Sequence, residues 1–329
     1  LNRSIYFTLC SNNYLSSALA LGDSIRRFLP DLKFIIGLVD QRDSQIDYLA
    51  FADFEVIPCF DLVYPEFEDM LSRYNIIEFN TAVKPFFFDY LFAKHPEAER
   101  IYYIDPDIIF YQSPVVLDQE WGDAEILLTP NLINTTTKPS TGELASLRHG
   151  MYNLGFIGLK RGTESFRLIQ WWKERLRTHC KIDKCRGIFV DQKWIDLAPL
   201  FFDKIKSVKH PGWNMAWWNF SERTLFFGND IYYVNQPEDP LVFFHFSGFK
   251  PGERLITERL KSEEFSVDDP TLRALFDDYE RRLFKSDYEV LSKIKPSLKF
   301  YTPPNSTWNR IGRKLKSKTA NMIFTIFKV

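Results

Sequence analysis

The chain has 329 residues, 45% of them hydrophobic and 26% charged, with a formal net charge of −1. That is enough for one large domain with an appendage, is ordinary for a soluble globular protein, and excludes a nucleic-acid binder, which would show a basic excess. Four scattered cysteines exclude a disulfide scaffold and fit a reducing cytosol; no apolar run approaches the ~20 residues needed to span a bilayer, and the start does not resemble a signal peptide, although the missing initiator Met leaves room for a trimmed leader.

Residues 4–10 (Ser-Ile-Tyr-Phe-Thr-Leu-Cys) read as a first strand, broken at Ser11-Asn12-Asn13, whose types favour turns and helix caps. A helix follows over 14–29, with Leu15, Ala18, Leu19, Gly22, Ile25 and Phe28 at helical spacing and Pro30 helping to end it. Residues 34–39 predict a second strand closing on Asp40, and 54–57 a third. Strand, helix, strand in this order predicts a parallel sheet wrapped by helices. Asn80-Thr81-Ala82-Val83-Lys84-Pro85 then opens a helix running to about Lys94, with Pro85 tolerable only near its first turn. A helix start offers free amides to anions, so Lys84 reads either as a phosphate contact or as a solvated surface charge.

Residues 100–112, Arg-Ile-Tyr-Tyr-Ile-Asp-Pro-Asp-Ile-Ile-Phe-Tyr-Gln, set two carboxylates between two runs of strand formers. The first run is short, apolar and β-branched or aromatic, as in a strand buried on both faces, which puts the acids at its carboxyl end. Side chains alternate along extended chain, so Asp105 and Asp107 can point the same way, while Pro106 disfavours helix at the residue before it. Two carboxylates on one side repel each other unless a cation sits between them, and a hard divalent ion holding a diphosphate is the usual solution. In open α/β sheets, ligands bind beyond the carboxyl ends of strands. A plain Asp-Pro-Asp turn is the competing reading; the flanking strand formers favour the metal site.

Residues 125–129 predict another strand. The stretch 131–149, rich in Asn, Thr, Ser and Pro, reads as a long mobile loop of the kind that serves as a lid, and a strand over 152–159 follows it. Residues 162–177 read as an amphipathic helix with Phe166, Ile169, Trp172 and Leu176 inward. Cys180 and Cys185, beside His179, match no zinc-site spacing and read as loop. Asp191 and Gln192 fall at the start of another helix. Residues 210–220 cluster three Trp with two Asn, either a platform that stacks on a sugar face while the amides bind hydroxyls, or a packed loop. A short apolar strand over 241–244 delivers His245-Phe246-Ser247-Gly248-Phe249-Lys250-Pro251. A lone His is more often structural than a ligand, but this one sits at a strand end before a Gly turn, the layout already met at Asp105. Beyond Gly252 the composition turns charged and helical, notably over 271–294, and Pro303-Pro304-Asn305-Ser306 reads as a linker. The last segment carries Arg310, Arg313, Lys314, Lys316, Lys318 and Lys328 without an acid, with Trp308, Ile311, Leu315, Met322 and Ile326 near one helical face. That pattern fits an interfacial helix drawn to anionic lipid, or equally a terminal helix docked on its own domain.

Six of these motifs, in this order, resemble those of GT-A-fold, metal-dependent nucleotide-sugar glycosyltransferases. The resemblance is strongest to glycosyltransferase family 8, which includes glycogenin and bacterial lipopolysaccharide galactosyltransferases. Asp105-Pro106-Asp107 looks like the family's Asp-any-Asp metal motif. His245 with Gly248, Lys250 and Pro251 looks like its His-x-x-Gly-x-x-Lys-Pro element, with one spacer residue missing before Lys250 and Gly252 in place of the Trp that follows Pro. Asn13 and Tyr14 sit where relatives hold the uridine, but neither Ser11 nor Asn12 supplies the acid that often reads uracil. Thr81 and Lys84 resemble the donor-contacting Thr-x-x-Lys or Arg, Asn153 with Gly155 the Asn-x-Gly strand, and Asp191-Gln192 the Asp-Gln pair beside the anomeric carbon. The segment from Pro211 to Asn219 looks like bacterial transferases associated with surface-polysaccharide assembly.

The resemblance implies an α/β fold of the GT-A, Rossmann-like type, with a mostly parallel central sheet flanked by helices and a helical C-terminal extension. The match spans roughly residues 4–251, and together with the composition beyond it predicts a catalytic domain over 1–255, the extension over 256–302 and a basic amphipathic tail over 303–329. The implied reaction moves a hexosyl unit from a nucleoside diphosphate sugar, a UDP-sugar first, to a hydroxyl of a glycan or lipid-linked glycan, with retention. Asp105, Asp107 and His245 would hold Mn²⁺, which an imidazole ligand favours over Mg²⁺. Asn13, Tyr14, Thr81, Lys84, Asp105, Asn153, Gly248 and Lys250 would line the donor, and Asp191 and Gln192 would be catalytic. Retention could run through a short-lived oxocarbenium ion attacked on the leaving-group side, or through a covalent adduct. A sugar nucleotidyltransferase would show a Gly-rich basic loop where Ser11-Asn12-Asn13-Tyr14 stands, and a noncatalytic carbohydrate-binding or scaffold protein would not need both acids and the His. The expected location is the cytoplasm, with peripheral contact at the inner face of the membrane through the tail.

Overall fold

The computed structural model describes residues 3–135, 140–252 and 269–302, so the basic tail and its lipid-binding reading lie outside the described residues. In chain order the strands are β1 (Ser4–Cys10), β2 (Phe34–Leu38), β3 (Glu55–Pro58), β4 (Arg100–Ile104), β5 (Ile108–Phe110), β6 (Ile126–Pro130) and β7 (Tyr152–Lys160). They continue with β8 (Ile182–Asp183), β9 (Ile188–Phe189), β10 (Ile205–Ser207), β11 (Leu225–Gly228), β12 (Ile231–Val234), β13 (Gln236–Pro240) and β14 (Phe243–His245). Seven of them form the central sheet in the order β10-β6-β7-β4-β1-β2-β3. Every neighbouring pair is parallel except those made by β7, which runs antiparallel to both β4 and β6. This is the mostly parallel α/β sheet expected from the sequence.

The central strands carry two cores at once. On β1, Ile5, Phe7 and Leu9 enter one core cluster while Tyr6 and Cys10 enter the other; on β4, Ile101 and Tyr103 go one way and Tyr102 and Ile104 the other. Extended chain has a period of two, and a strand covered on both faces must therefore be apolar at nearly every position. Helix α1 (Leu15–Arg26) covers the Tyr6 face, and α2 (Glu66–Arg73), α3 (Ile76–Ala82), α4 (Lys84–Lys94) and α6 (Thr163–His179) contribute to the Phe7 face. The inward residues foreseen for α6 are placed so: Ile169, Trp172 and Leu176 are buried, and Phe166 packs against the same core. A third cluster joins β14 and the β11-β12-β13 meander to the helix Pro270–Lys285, where Tyr279 stacks on Phe246 with ring centroids 4.1 Å apart. The polypeptide then returns to the first strands. The buried Asp40 carboxylate accepts the Asn12 amide at 2.9 Å through Oδ2, and the backbone amides of Ser297 at 2.9 Å and Leu298 at 3.3 Å through Oδ1.

Two expectations need correction. The helix predicted to open at Asn80 instead begins at Ile76, where Asn75 and Glu78 make a capping box, and α4 follows after Val83 alone. The Val83 amide already donates to Phe79 O, and Val83 O already accepts Phe86 and Phe87, so Lys84 does not stand at an open helix start. The loop predicted over 131–149 contains α5 (Thr141–His149), opened by a second capping box between Ser140 and Glu143. Two short helices, α7 (Gln192–Ile195) and α8 (Ala198–Phe201), complete the set used below. Cys10, Cys59, Cys180 and Cys185 are all free. No helix among the described residues is long and apolar enough to cross a membrane.

Candidate active site

The carboxyl end of β4 is where three chemistry-bearing side chains meet. Asp105 N donates to Gly155 O on β7 at 2.7 Å, and Ile108 N closes a turn on Asp105 O at 3.2 Å before β5 begins. β5 pairs antiparallel with β14, setting His245 opposite Ile108, and Phe246 N donates to Asp107 O at 2.8 Å. Backbone pairing across about 140 residues of chain thus carries the imidazole onto the Asp105–Asp107 turn. His245 Nε2 lies 3.1 Å from Asp107 Oδ1 and 3.7 Å from Asp105 Oδ2, and one ligand atom from each of the three lies within 4.8 Å of the others. Two carboxylates and one imidazole nitrogen form a donor set that suits a divalent cation.

Gly155 makes this convergence possible. A Cβ there would stand 2.5 Å from His245 Cε1 and 2.7 Å from Nδ1, so any side chain would displace the ring. The far side of the imidazole is held too: Nδ1 lies 3.3 Å from Asn214 Oδ1, and Trp218 packs perpendicular to the ring with centroids 5.1 Å apart. Burial is the largest influence on the His245 pKa and pulls it down, but Asp107 and Asp105 outweigh it and leave it above the ordinary value. Tyr103 donates its hydroxyl to Asp105 Oδ1 at 2.6 Å, which leaves Oδ2 as the oxygen facing His245.

Directly behind the acids lies a buried ion pair. Lys84 Nζ donates to Asp191 Oδ2 at 2.7 Å and to Leu154 O at 2.9 Å, and sits 4.3 Å from the centre of the Tyr103 ring. Burial pushes the Asp191 carboxyl pKa up, with Lys84 opposing it. Asp191 is the residue that precedes α7, as the sequence predicted. The Gln192 side chain bridges the end of α5 and β7, donating to His149 O at 3.2 Å and accepting Leu154 N at 3.4 Å.

The other candidate residues take varied positions. Tyr14 is half exposed, and its hydroxyl pKa is raised by burial first and then by the charge of Asp107. Asn13 accepts the Ser11 hydroxyl at 2.7 Å. Asn153 Oδ1 accepts Gly155 N at 3.0 Å and Asn214 Nδ2 at 3.1 Å. Thr81 bonds back to Ile77 O within α3, at 2.8 Å. Gly248 has φ +77° in the turn after His245, closed by Phe249 N on Phe246 O at 2.9 Å, and Lys250 is exposed two residues later.

The cluster over 210–220 is a packed loop in most of its parts. Trp213 is buried against Phe156 and Phe243, and both amides face inward: Asn219 donates to Asn214 O at 3.1 Å and accepts Ala216 N at 3.0 Å. Buried Arg223 holds the loop by donating to Pro211 O and Trp213 O. Asn214 is the site residue whose role sequence reasoning missed. Its left-handed backbone, φ +51°, is a conformation that Asn adopts more readily than other residues with a Cβ, and its place in a Trp-rich loop was the sole local signal.

No protein-family model matches the chain. It is 29% identical over 250 residues to YfnF of Bacillus subtilis (strain 168), an uncharacterised protein, covering 75% of this chain and 82% of that one. It is 24% identical over 257 residues to YfnD of the same organism, also uncharacterised, covering 77% and 79%. Among solved structures it is similar to the galactosyltransferase LgtC, determined in complex with donor and acceptor sugar analogues. The TM-score is 0.51 at 15% identity, covering 93% of this chain and 99% of that one. The chain therefore has the GT-A type of α/β fold found in that galactosyltransferase.

Proposed function

We propose that the chain is a metal-dependent glycosyltransferase. It moves a hexosyl unit from a nucleoside diphosphate sugar, a UDP-sugar first, to a hydroxyl of a glycan or lipid-linked glycan, with retention, in bacterial surface-polysaccharide assembly. The observation that carries this reading is the meeting of Asp105, Asp107 and His245 beyond the carboxyl end of β4. These three would hold Mn²⁺, or Mg²⁺ in its place, and the bound ion supplies Lewis-acid stabilisation of the departing diphosphate. Tyr103 occupies one oxygen of Asp105 and so orients the other. Tyr14, half exposed, offers its ring to the base together with Asn13, and Asn153, partly exposed, offers its amide NH₂ to donor hydroxyls.

Lys84, Lys250, Thr81 and Gly248 complete the donor side of this reading, with Asp191 and Gln192 beside the sugar. Lys84 acts through the field it casts from behind Tyr103, since its ammonium is spoken for by Asp191 and Leu154. A carboxylate so enclosed is a poor nucleophile, which favours attack on the leaving-group side over an adduct on Asp191. Residues 1–255 would form the catalytic domain and 256–302 its helical extension, in a protein working at the cytoplasmic side of the membrane.

A panel of UDP-, dTDP- and GDP-sugars with Mn²⁺, scored for slow donor hydrolysis by mass spectrometry, tests the reading without a known acceptor. Hydrolysis of one donor class that stops on chelation is the expected result. No turnover of any donor, with no Mn²⁺-dependent UDP binding by calorimetry, would reject it.

A further inference from the structure

The hydrogen bonds around His245 have a forced polarity that can be followed from a backbone amide. Gly155 N–H can only donate, and it lies 3.0 Å from the Asn153 side chain, so the atom it meets is the carbonyl oxygen Oδ1. Asn214 approaches that same oxygen at 3.1 Å and must present its NH₂ group, which also reaches Thr129 Oγ1 at 2.9 Å. The other end of the Asn214 amide is then its carbonyl oxygen, 3.3 Å from His245 Nδ1. An acceptor at that position requires the imidazole proton on Nδ1.

Asn214 has no freedom to turn over. Its side chain is buried, and its backbone is fixed in the left-handed region by the Asn219 amide on its carbonyl. On the opposite edge of the ring, Nε2 faces Asp107 Oδ1 at 3.1 Å and Asp105 Oδ2 at 3.7 Å. A lone pair aimed at two carboxylates is repulsive until either a proton on Nε2 or a cation among the three relieves it, and a ligating His gains basicity when its other nitrogen donates to a fixed acceptor.

We propose that Asn214 is the positioning residue that fixes the His245 tautomer, keeping the proton on Nδ1 so that Nε2 is free to ligate a divalent cation with Asp105 and Asp107. The proposal rests on the metal-dependent reading above and adds a residue to it. Asn214 does not touch the ion; it acts through the ring.

Two substitutions separate the acceptor end of the amide from the donor end. Asn214→Gly suits φ +51° and removes both ends, whereas Asn214→Asp keeps an acceptor for Nδ1 and loses the donor to Asn153 and Thr129. Mn²⁺ affinity of the full chain is measured by the paramagnetic resonance of free Mn²⁺. Circular dichroism checks the fold, and ¹⁵N-histidine NMR of the Cd²⁺-loaded protein reads the tautomer. N214G is expected to bind Mn²⁺ about 10–100-fold more weakly than wild type. N214D is expected to bind close to wild type, with Nδ1 protonated and Nε2 metallated in wild type and N214D alike. Wild-type affinity in N214G overturns the proposal. So does an N214D as weak as N214G, which would assign Asn214 to loop structure alone. A wild-type protein that binds no Mn²⁺ overturns the metal reading itself, and this proposal with it.

Discussion

Lys84 and Asp191 are locked together at 2.7 Å with side chains only 4% and 3% exposed. Each is therefore the condition for the other's charge. Removing one partner of a buried pair leaves an uncompensated ion and costs about 3–5 kcal/mol, whereas removing both costs far less. Lys84→Met is expected to lower unfolding free energy by that amount in denaturant titration, and Lys84→Met with Asp191→Asn by clearly less than the sum of the singles. Asp191→Asn also reports on the route of transfer. Once its fold is verified, near-wild-type turnover in this variant would remove Asp191 from consideration as a nucleophile.

Gly155→Ala places a methyl where the His245 ring lies. The ring, pinned by Asn214 and Trp218, cannot swing away cheaply. Loss of Mn²⁺-dependent UDP binding by at least tenfold (about 1.4 kcal/mol) is expected in calorimetry, with secondary structure by circular dichroism unchanged.

Asp107→Asn removes the charge of one proposed ligand while keeping shape. Wild-type protein should gain about 2.7 kcal/mol of stability from Mn²⁺ supplied at a hundred times its dissociation constant. The variant should show no gain at the same concentration, as read by thermal melts with and without chelator.

Glu125 offers a pH test remote from the site. Its Oε2 accepts the amides of Glu164 at 2.7 Å and Ser165 at 3.2 Å at the start of α6, and its Oε1 takes Lys204 at 2.7 Å. Burial is the largest influence and raises its pKa, but Lys204 and the two amides together bring it below the ordinary 4.5. A depressed acid contributes stability that is present above its unfolded pKa and lost as pH falls through its folded one. Glu125→Gln is thus expected to cost about 1–2 kcal/mol at neutral pH, and the gap should close progressively below the ordinary value.

The parts of the fold legible in the sequence were those whose signal is local. β1 and β4 read as strands because both faces are covered, and α1 and α6 because their apolar residues recur at helical spacing. Asp105, Asp107 and His245 were legible because the two acids flank Pro106 in a turn between two runs of strand formers, and His245 ends a short apolar strand ahead of the Gly248 turn. α5 was lost behind a polar composition, although Ser140 and Glu143 spell a capping box. The start of α3 was misplaced for a similar reason: Asn75 and Glu78 cap it, and Asn80 is one of its interior residues. Asn214 was out of reach, since its meaning comes from partners 31, 61 and 85 positions away that only the assembled sheet supplies.

Asp40 has a consequence for how the molecule is made. Its carboxylate waits for backbone amides that lie 257 and 258 positions downstream. A ribosome delivers β1, β2 and β3 long before Ser297 and Leu298 emerge, so a nascent chain can build that half of the sheet with this seam still open to water. The seam cannot close until Leu298 has emerged, so a polypeptide stalled short of it would leave the Asn12 corner unsealed.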